Sequence, residues 1–292
     1  MPKSESLTKL WRPNGIDRAW ELKQQLGADT MFIAGGTLIQ LQREQGTAMP
    51  AHLISLEWID SMSGINEIKV NSKEYLRIGS LAALSAIQLH PIVNESYLLL
   101  ADAAGQVASP AVRNRATIGG NICYAVGDTL PALIAMDAEA TWYDGEKTQT
   151  DKLENYLNRG GPQKDAIFTS ILIPKRTRPE NSNSIRYYRK VGRREAFIPS
   201  LVTVAVSVDL NRVNRIEEIR LAAGGGTYRP HRLMASEQLL AGTILSKHAL
   251  KNLHEKIIEE YQPDDDFFAT AHYRKMMAAN LIIAELASYL DS

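Results

Sequence analysis

The chain has 292 residues, 45% hydrophobic and 23% charged, with 33 Lys and Arg against 33 Asp and Glu. That length allows a sizeable core and two domains, or one domain with an appendage, and the zero net charge leaves no electrostatic footprint for nucleic acid. Cys123 is the only cysteine, which excludes an internal disulfide or an iron–sulfur cluster held by this chain alone, and the six histidines show no metal-binding spacing.

The opening stretch MPKSESLTKLWRP lacks the apolar core of a secretion signal, and no apolar run nears the roughly 20 residues of a membrane span. The cytoplasm is the expected compartment. From Asp17 to Leu26, DRAWELKQQL puts Ala19, Trp20, Leu22 and Leu26 on one helical face. TMFIAGG then reads as a buried strand ending in glycines, AHLISL as a second short strand, DSMSGINEIKV as a turn into a third, and YLRIGSL as a fourth. LAALSAIQLHP and YLLLADAAGQVA have helical periodicity, with Pro91 separating them and Pro110 ending the second. ALIAMDAEATWY and AIFTSILIP resume a strand-and-turn rhythm. After Pro174 the polar KRTRPENSN reads as a boundary linker. SIRYYRKV, LVTVAVSVDL and EIRLAAGG follow as strands, and helical patterns close the chain, ending in HYRKMMAANLIIAELASYL. There is no internal repeat, and strands and helices mix without strict βαβ alternation, so the fold class is α+β.

Two stretches stand out: FIAGGTLIQ from Phe32 and ATIGGNI from Ala116, each a Gly-Gly pair followed by a small polar residue. Either alone reads more readily as a tight turn or bulge than as a phosphate site. Together they suggest two loops meeting one extended anionic ligand. Backbone N–H groups can match phosphate oxygens, glycine lets the main chain approach closely, and Thr37, Thr117 and Asn121 could add donors. Neither stretch is GxGxxG, and no Walker A sequence occurs, so the dinucleotide-fingerprint and P-loop readings fail at the motif level. There is no GxSxG elbow either.

The pattern resembles the FAD-binding subunits of molybdenum hydroxylases, the group of xanthine dehydrogenase and carbon monoxide dehydrogenase. FIAGGTLIQ is similar to their first flavin loop and VRNRATIGGNI to their second. YLRIGSLAALSAI and DTLPALIAMDAEATW resemble the segments flanking the second loop, and YRKVGRREA and AHYRKMMAANLI resemble the C-terminal domain. The resemblance implies an α+β chain: a two-lobed, vanillyl-alcohol-oxidase-type FAD-binding fold over 1–176, with lobes of about 1–65 and 66–176, and a C-terminal α+β domain over 177–292. It implies that Phe32, Ile33, Ala34, Gly35, Gly36, Thr37, Leu38 and Ile39 wrap the FAD diphosphate. Ala108, Thr117, Gly119, Gly120 and Asn121 would close from the other lobe. Asp128 would accept from a cofactor sugar hydroxyl, Ile167 and Phe168 would meet the flavin region, and Lys190 would stand near the ring. By residue type alone, Asp128 is equally a helix-cap aspartate and Lys190 equally part of a solvated basic face in which Arg189 could take its place, while Ile167 and Phe168 read first as strand core. Tyr187 and Tyr188 could stack near the ring or pack the sheet. Leu38, Met31 and a short link from Asn121 to Asp128 depart from the family's usual pattern.

The activity so implied is that of an oxidoreductase subunit with non-covalent FAD. Electrons would arrive from 2Fe–2S clusters in an iron–sulfur subunit, fed by a molybdopterin-binding subunit, and leave to NAD⁺ or another acceptor, with a xanthine-like purine as the leading substrate. No membrane span and no nucleic-acid partner are expected. The rival readings are a standalone FAD-dependent oxidase of a small alcohol and a scaffold that has lost its cofactor.

Overall fold

The computed structural model of the protein describes residues 7–161, 165–176, 183–192 and 200–290. The first lobe comprises β1 (Lys9–Trp11), α1 (Ile16–Leu26), β2 (Thr30–Ile33), α2 (Thr37–Glu44) and β3 (His52–Ser55), its strands forming a parallel sheet of order β1-β3-β2. On α1 the predicted face holds. Ala19 and Leu22 are buried and Trp20 and Leu26 pack on the same cluster, which includes Ile54, Ile59 and Met62. Helix α2 was not legible in the sequence; it starts inside FIAGGTLIQ, directly after the glycines.

The second lobe is an antiparallel sheet of order β4-β5-β8-β6-β7, built from β4 (Ile65–Val70), β5 (Lys73–Gly79), β6 (Glu139–Tyr143), β7 (Thr148–Lys152) and β8 (Ile167–Pro174). Its central strand β8 is buried at seven consecutive positions and ends on a half-buried Pro174. Between β5 and β6 run α3 (Leu84–Leu89), α4 (Pro91–Ser96), α5 (Leu98–Gly105), α6 (Pro110–Arg113), α7 (Ile118–Cys123) and α8 (Leu130–Ala135); α9 (Leu153–Asn158) follows β7. Two expectations are corrected here. Pro91 and Pro110 do not merely stop helices. Each opens one at its first turn, where the missing N–H has no intrahelical acceptor to lose. The first half of ALIAMDAEATWY is the buried helix α8 rather than strand, because a short apolar run buried on every side carries no period to distinguish the two.

The third sheet, of order β12-β11-β10-β9, is antiparallel: β9 (Asn183–Gly192), β10 (Ser200–Leu210), β11 (Ile216–Gly225) and β12 (Tyr228–Arg232). Helices α10 (Met234–Leu240), α11 (Lys247–Glu260) and α12 (Ala271–Ser288) complete the chain. Along β10, Val204, Val206 and Val208 join the core beneath α11 and α12, whereas Ala205 joins the core of the second lobe with Ala222 and Tyr188. Burial on both faces explains why LVTVAVSVDL is apolar almost throughout. Asp137, at φ 54°, fastens this junction. Its carboxylate meets Arg232 at 2.8 Å, Arg176 at 2.7 Å and Arg220 at 2.6 Å. Of the expected linker, 177–182 lie outside the described residues, as do 193–196 of YRKVGRREA.

Candidate functional site

The two glycine stretches, about eighty positions apart, meet. A Cβ built on Gly35 would overlap the carbonyl oxygen of Arg115, so only glycine lets the first loop lie flat on the backbone of the second. Gly36 follows in the left-handed region at φ 72° and turns the chain from β2 into α2. From Phe32 to Ile39 every residue is half-buried, an unbroken accessible ribbon. Between the loops lies a cleft of about 240 Å³ lined by Gly35, Ser63, Glu57, Asn114, Arg115 and Thr117 among others.

The two sides differ in what they offer. On the first loop, no described residue accepts from the N–H groups of Gly35, Gly36, Thr37, Leu38 or Ile39, and α2 has no side-chain cap. Those amides and the positive end of the α2 dipole make a ready anion site. The second loop has already committed its amides. Ile118 donates to the Ala82 carbonyl at 3.0 Å, Gly119 to Ser80 at 2.9 Å and Asn121 to Thr117 at 3.0 Å. Gly120 donates to Thr117 Oγ1 at 3.1 Å, making Thr117 the N-cap of α7. A Cβ on Gly119 would run into Ser80, whereas Gly120 is exposed with only Thr117 Oγ1 nearby, at 3.3 Å. What the second loop presents is therefore side chains on a rigid turn: the Asn121 amide and Arg115.

Asn121 also organises the link behind it. Its Oδ1 accepts from Thr129 Oγ1 at 2.6 Å and Thr129 N at 3.2 Å, leaving Nδ2 without an acceptor among the described residues. A side chain on Gly127 would strike Asn121, and Ala125 is held at φ 61°. The shortened link is thus a tight return that sets Asp128 against the C-terminal domain. Asp128 Oδ2 accepts from Lys190 Nζ at 2.7 Å, with the two side chains 13% and 10% exposed. Lys190 Nζ also donates to the Gln106 carbonyl at 3.2 Å, and Tyr188 Oη donates to the Asp128 carbonyl at 2.7 Å. Burial, with the nearby Asp128 charge, pushes the Tyr188 hydroxyl well above its ordinary range, so it stays a donor.

Alternation along β9 turns Lys190 inward and leaves Arg189 exposed, while Tyr187 and Tyr188 pack into opposite cores. Ala108, at φ 42°, has its carbonyl held by Arg113 at 2.9 Å. Ile167 and Phe168 are buried strand residues; Ile167 joins the first-lobe cluster and Phe168 stacks near Tyr156 at 5.7 Å. Their side chains face core, so the loops and the Asp128–Lys190 pair stand as two places and these two residues as a third. Sequence reading passed over Glu57, Ser63 and Arg115 as lining residues. Arg115 lay inside the quoted motif and pairs with Glu57 at 3.1 Å across the cleft; nothing in SLEW signalled Glu57.

The family model described as the FAD binding domain in molybdopterin dehydrogenase matches residues 5–176, and the CO dehydrogenase flavoprotein C-terminal domain matches 186–287. The chain is 26% identical to the carbon monoxide dehydrogenase medium chain of Hydrogenophaga pseudoflava, over 92% of each chain. It is 25% identical to the nicotine 6-hydroxylase medium subunit of Paenarthrobacter nicotinovorans, over 92% of this chain and 93% of that one. It is also 25% identical to a xanthine dehydrogenase FAD-binding subunit of Escherichia coli O157:H7, over 83% and 82%. Among solved structures, carbon monoxide dehydrogenase from Hydrogenophaga pseudoflava superposes with TM-score 0.87 over 97% of both chains at 24% identity, which establishes a shared fold. Quinoline 2-oxidoreductase from Pseudomonas putida 86 gives 0.83 over 97% and 96%, at 17% identity.

Proposed function

This chain belongs to the family of FAD-binding domains of molybdopterin dehydrogenases, and we propose that within it the chain is the electron-transferring flavoprotein of a multi-subunit molybdenum hydroxylase. It receives electrons from 2Fe–2S clusters in an iron–sulfur subunit, which is reduced in turn by a molybdopterin-binding subunit, and delivers them to NAD⁺ or another acceptor. A purine of the xanthine type is the substrate class we assign to the complex; the named relatives also include enzymes for nicotine and carbon monoxide. The observation that carries the reading is the contact between Gly35 and the Arg115 backbone, which brings two family loops from different lobes into one cleft.

The residues fit the cofactor. The free amides from Gly35 to Ile39 suit a diphosphate, and the Asn121 Nδ2 suits a phosphate or sugar oxygen facing them. Bound flavin supplies the redox chemistry, accepting electrons from one partner and releasing them to another. The chain itself holds and orients. Gly35 and Gly36 fix the path of the first loop, Thr117 locks the turn of the second, and Arg115 closes the cleft against Glu57. Lys190 keeps a desolvated positive charge at the domain junction, balanced by Asp128.

The test is to purify the chain, record its visible spectrum after adding FAD, then add NADH without oxygen. Flavin bands that bleach with NADH and not with small alcohols are expected. A folded but colourless protein that ignores FAD contradicts the reading, and bleaching by alcohols alone transfers it to the oxidase class.

A further inference from the structure

A second cavity, of about 90 Å³, lies where the second lobe meets the third sheet, away from the glycine loops. Its polar lining is Ser96, Tyr97, Lys175, Arg176, Arg186 and Ser207. Every charged residue on that lining is a cation. Their carboxylate partners bond from outside: Asp137 and Glu218 hold Arg176, Asp209 holds Arg186, and Glu67 and Glu74 hold Lys175. None of those five carboxylates lines the cavity.

The hydroxyls are the second observation. Tyr97 is 6% exposed, and its buried hydroxyl has no hydrogen-bond partner among the described residues. A buried donor left unmade is costly, so a polar ligand that completes it is favoured. Burial raises the Tyr97 pKa, which keeps the hydroxyl protonated and donating. Ser207, 3% exposed, adds a second hydroxyl to the lining from the third sheet. Burial pulls the Arg176 guanidinium below its ordinary value, and the neighbouring Arg220 and Arg186 charges add to that against the opposing Asp137 and Glu218 carboxylates. The volume admits several waters or one tetrahedral oxyanion, and little more.

We propose that this cavity is a phosphate-group site joining the flavin-binding lobe, through Tyr97 and Arg176, to the C-terminal domain, through Arg186 and Ser207. A bound oxyanion accepts from the Tyr97 hydroxyl and from guanidinium donors on both sides, so occupancy tightens docking of the two domains. The proposal does not rest on the flavin reading.

The test titrates inorganic phosphate against chloride at constant ionic strength on the complete chain, with and without excess FAD, so that phosphate bound in the glycine-loop cleft is told apart from phosphate bound here. A saturable rise of about 2 °C in the unfolding midpoint is expected at roughly tenfold excess over the dissociation constant. Tyr97→Phe removes a hydroxyl that has no partner among the described residues, so the fold is kept. It should weaken phosphate about five- to tenfold, and Arg176→Gln should weaken it more. Glycerol phosphate distinguishes the sources: competition assigns the site to a phosphomonoester, and exclusion assigns it to the free ion. No rise beyond chloride overturns the proposal. So does an unchanged phosphate affinity in folded Tyr97→Phe, which alone decides the matter if Arg176→Gln does not fold.

Discussion

Gly35→Ala is the most direct test of the contact between the two lobes. The new methyl has nowhere to go. It would overlap the Arg115 carbonyl oxygen and crowd the Arg115–Ala116 peptide, and both obstacles are backbone rather than a flexible side-chain end. Relief requires the loops to separate, and forced overpacking of this kind costs about 1–3 kcal/mol. For a chain of this size that lowers the unfolding midpoint by roughly 2–5 °C. Separation also moves the free amides of the first loop away from Asn121 and Arg115. The FAD dissociation constant should then rise at least tenfold, or about 1.4 kcal/mol. Gly36→Ala is the internal control. Its nearest obstacle is Ile33 Cδ1 at 3.5 Å, so it suffers only the strain of φ 72° and destabilises by about 1 kcal/mol without opening the cleft. Differential scanning fluorimetry and titration of flavin fluorescence measure both quantities. A Gly35→Ala protein with wild-type midpoint and wild-type FAD affinity would refute the contact.

Three further outcomes are expected. Lys190→Met leaves Asp128 buried and unpaired, and should destabilise by about 3 kcal/mol, with Asp128→Asn added in the same chain restoring part of the loss; chemical denaturation of the three variants reads the coupling. Asp137→Asn keeps the left-handed backbone but removes charge from Arg176, Arg220 and Arg232 at the domain junction, so the unfolding midpoint should fall by several degrees and calorimetry should show a broadened or divided transition. His231 packs between Tyr228 and Tyr261, at 5.4 and 6.1 Å, and burial holds its pKa below the ordinary value. The unfolded chain therefore binds the proton more tightly. The stability this site contributes is complete above about pH 6.5 and is lost as pH falls from there toward the folded value; a His231→Gln protein whose midpoint declines just as steeply over that window would count against it.

The sequence alone determined the local grammar. The face of α1, the strands around the glycines, the apolar run of β10 and both glycine loops follow from periodicity, backbone freedom and resemblance, all of which reside in short stretches. It also narrowed the chemistry, because a chain with one cysteine and scattered histidines needs a borrowed redox group. Tertiary structure decided everything that depends on which surface faces which. Helix α8 reads as strand until burial on all sides is seen, and Pro91 and Pro110 read as stops until the following turn forms. The choice between Arg189 and Lys190 turns on the orientation of β9 against the second lobe. The division of labour in the cleft is likewise a matter of partners. Two Gly-Gly stretches with similar composition end with opposite amide accounts, since Ser80 and Ala82 take the N–H groups of one and no described residue takes those of the other. Hydrogen-bond partners far apart in sequence exert no local signature, so a motif can say where a chain turns but not which of its donors remain free.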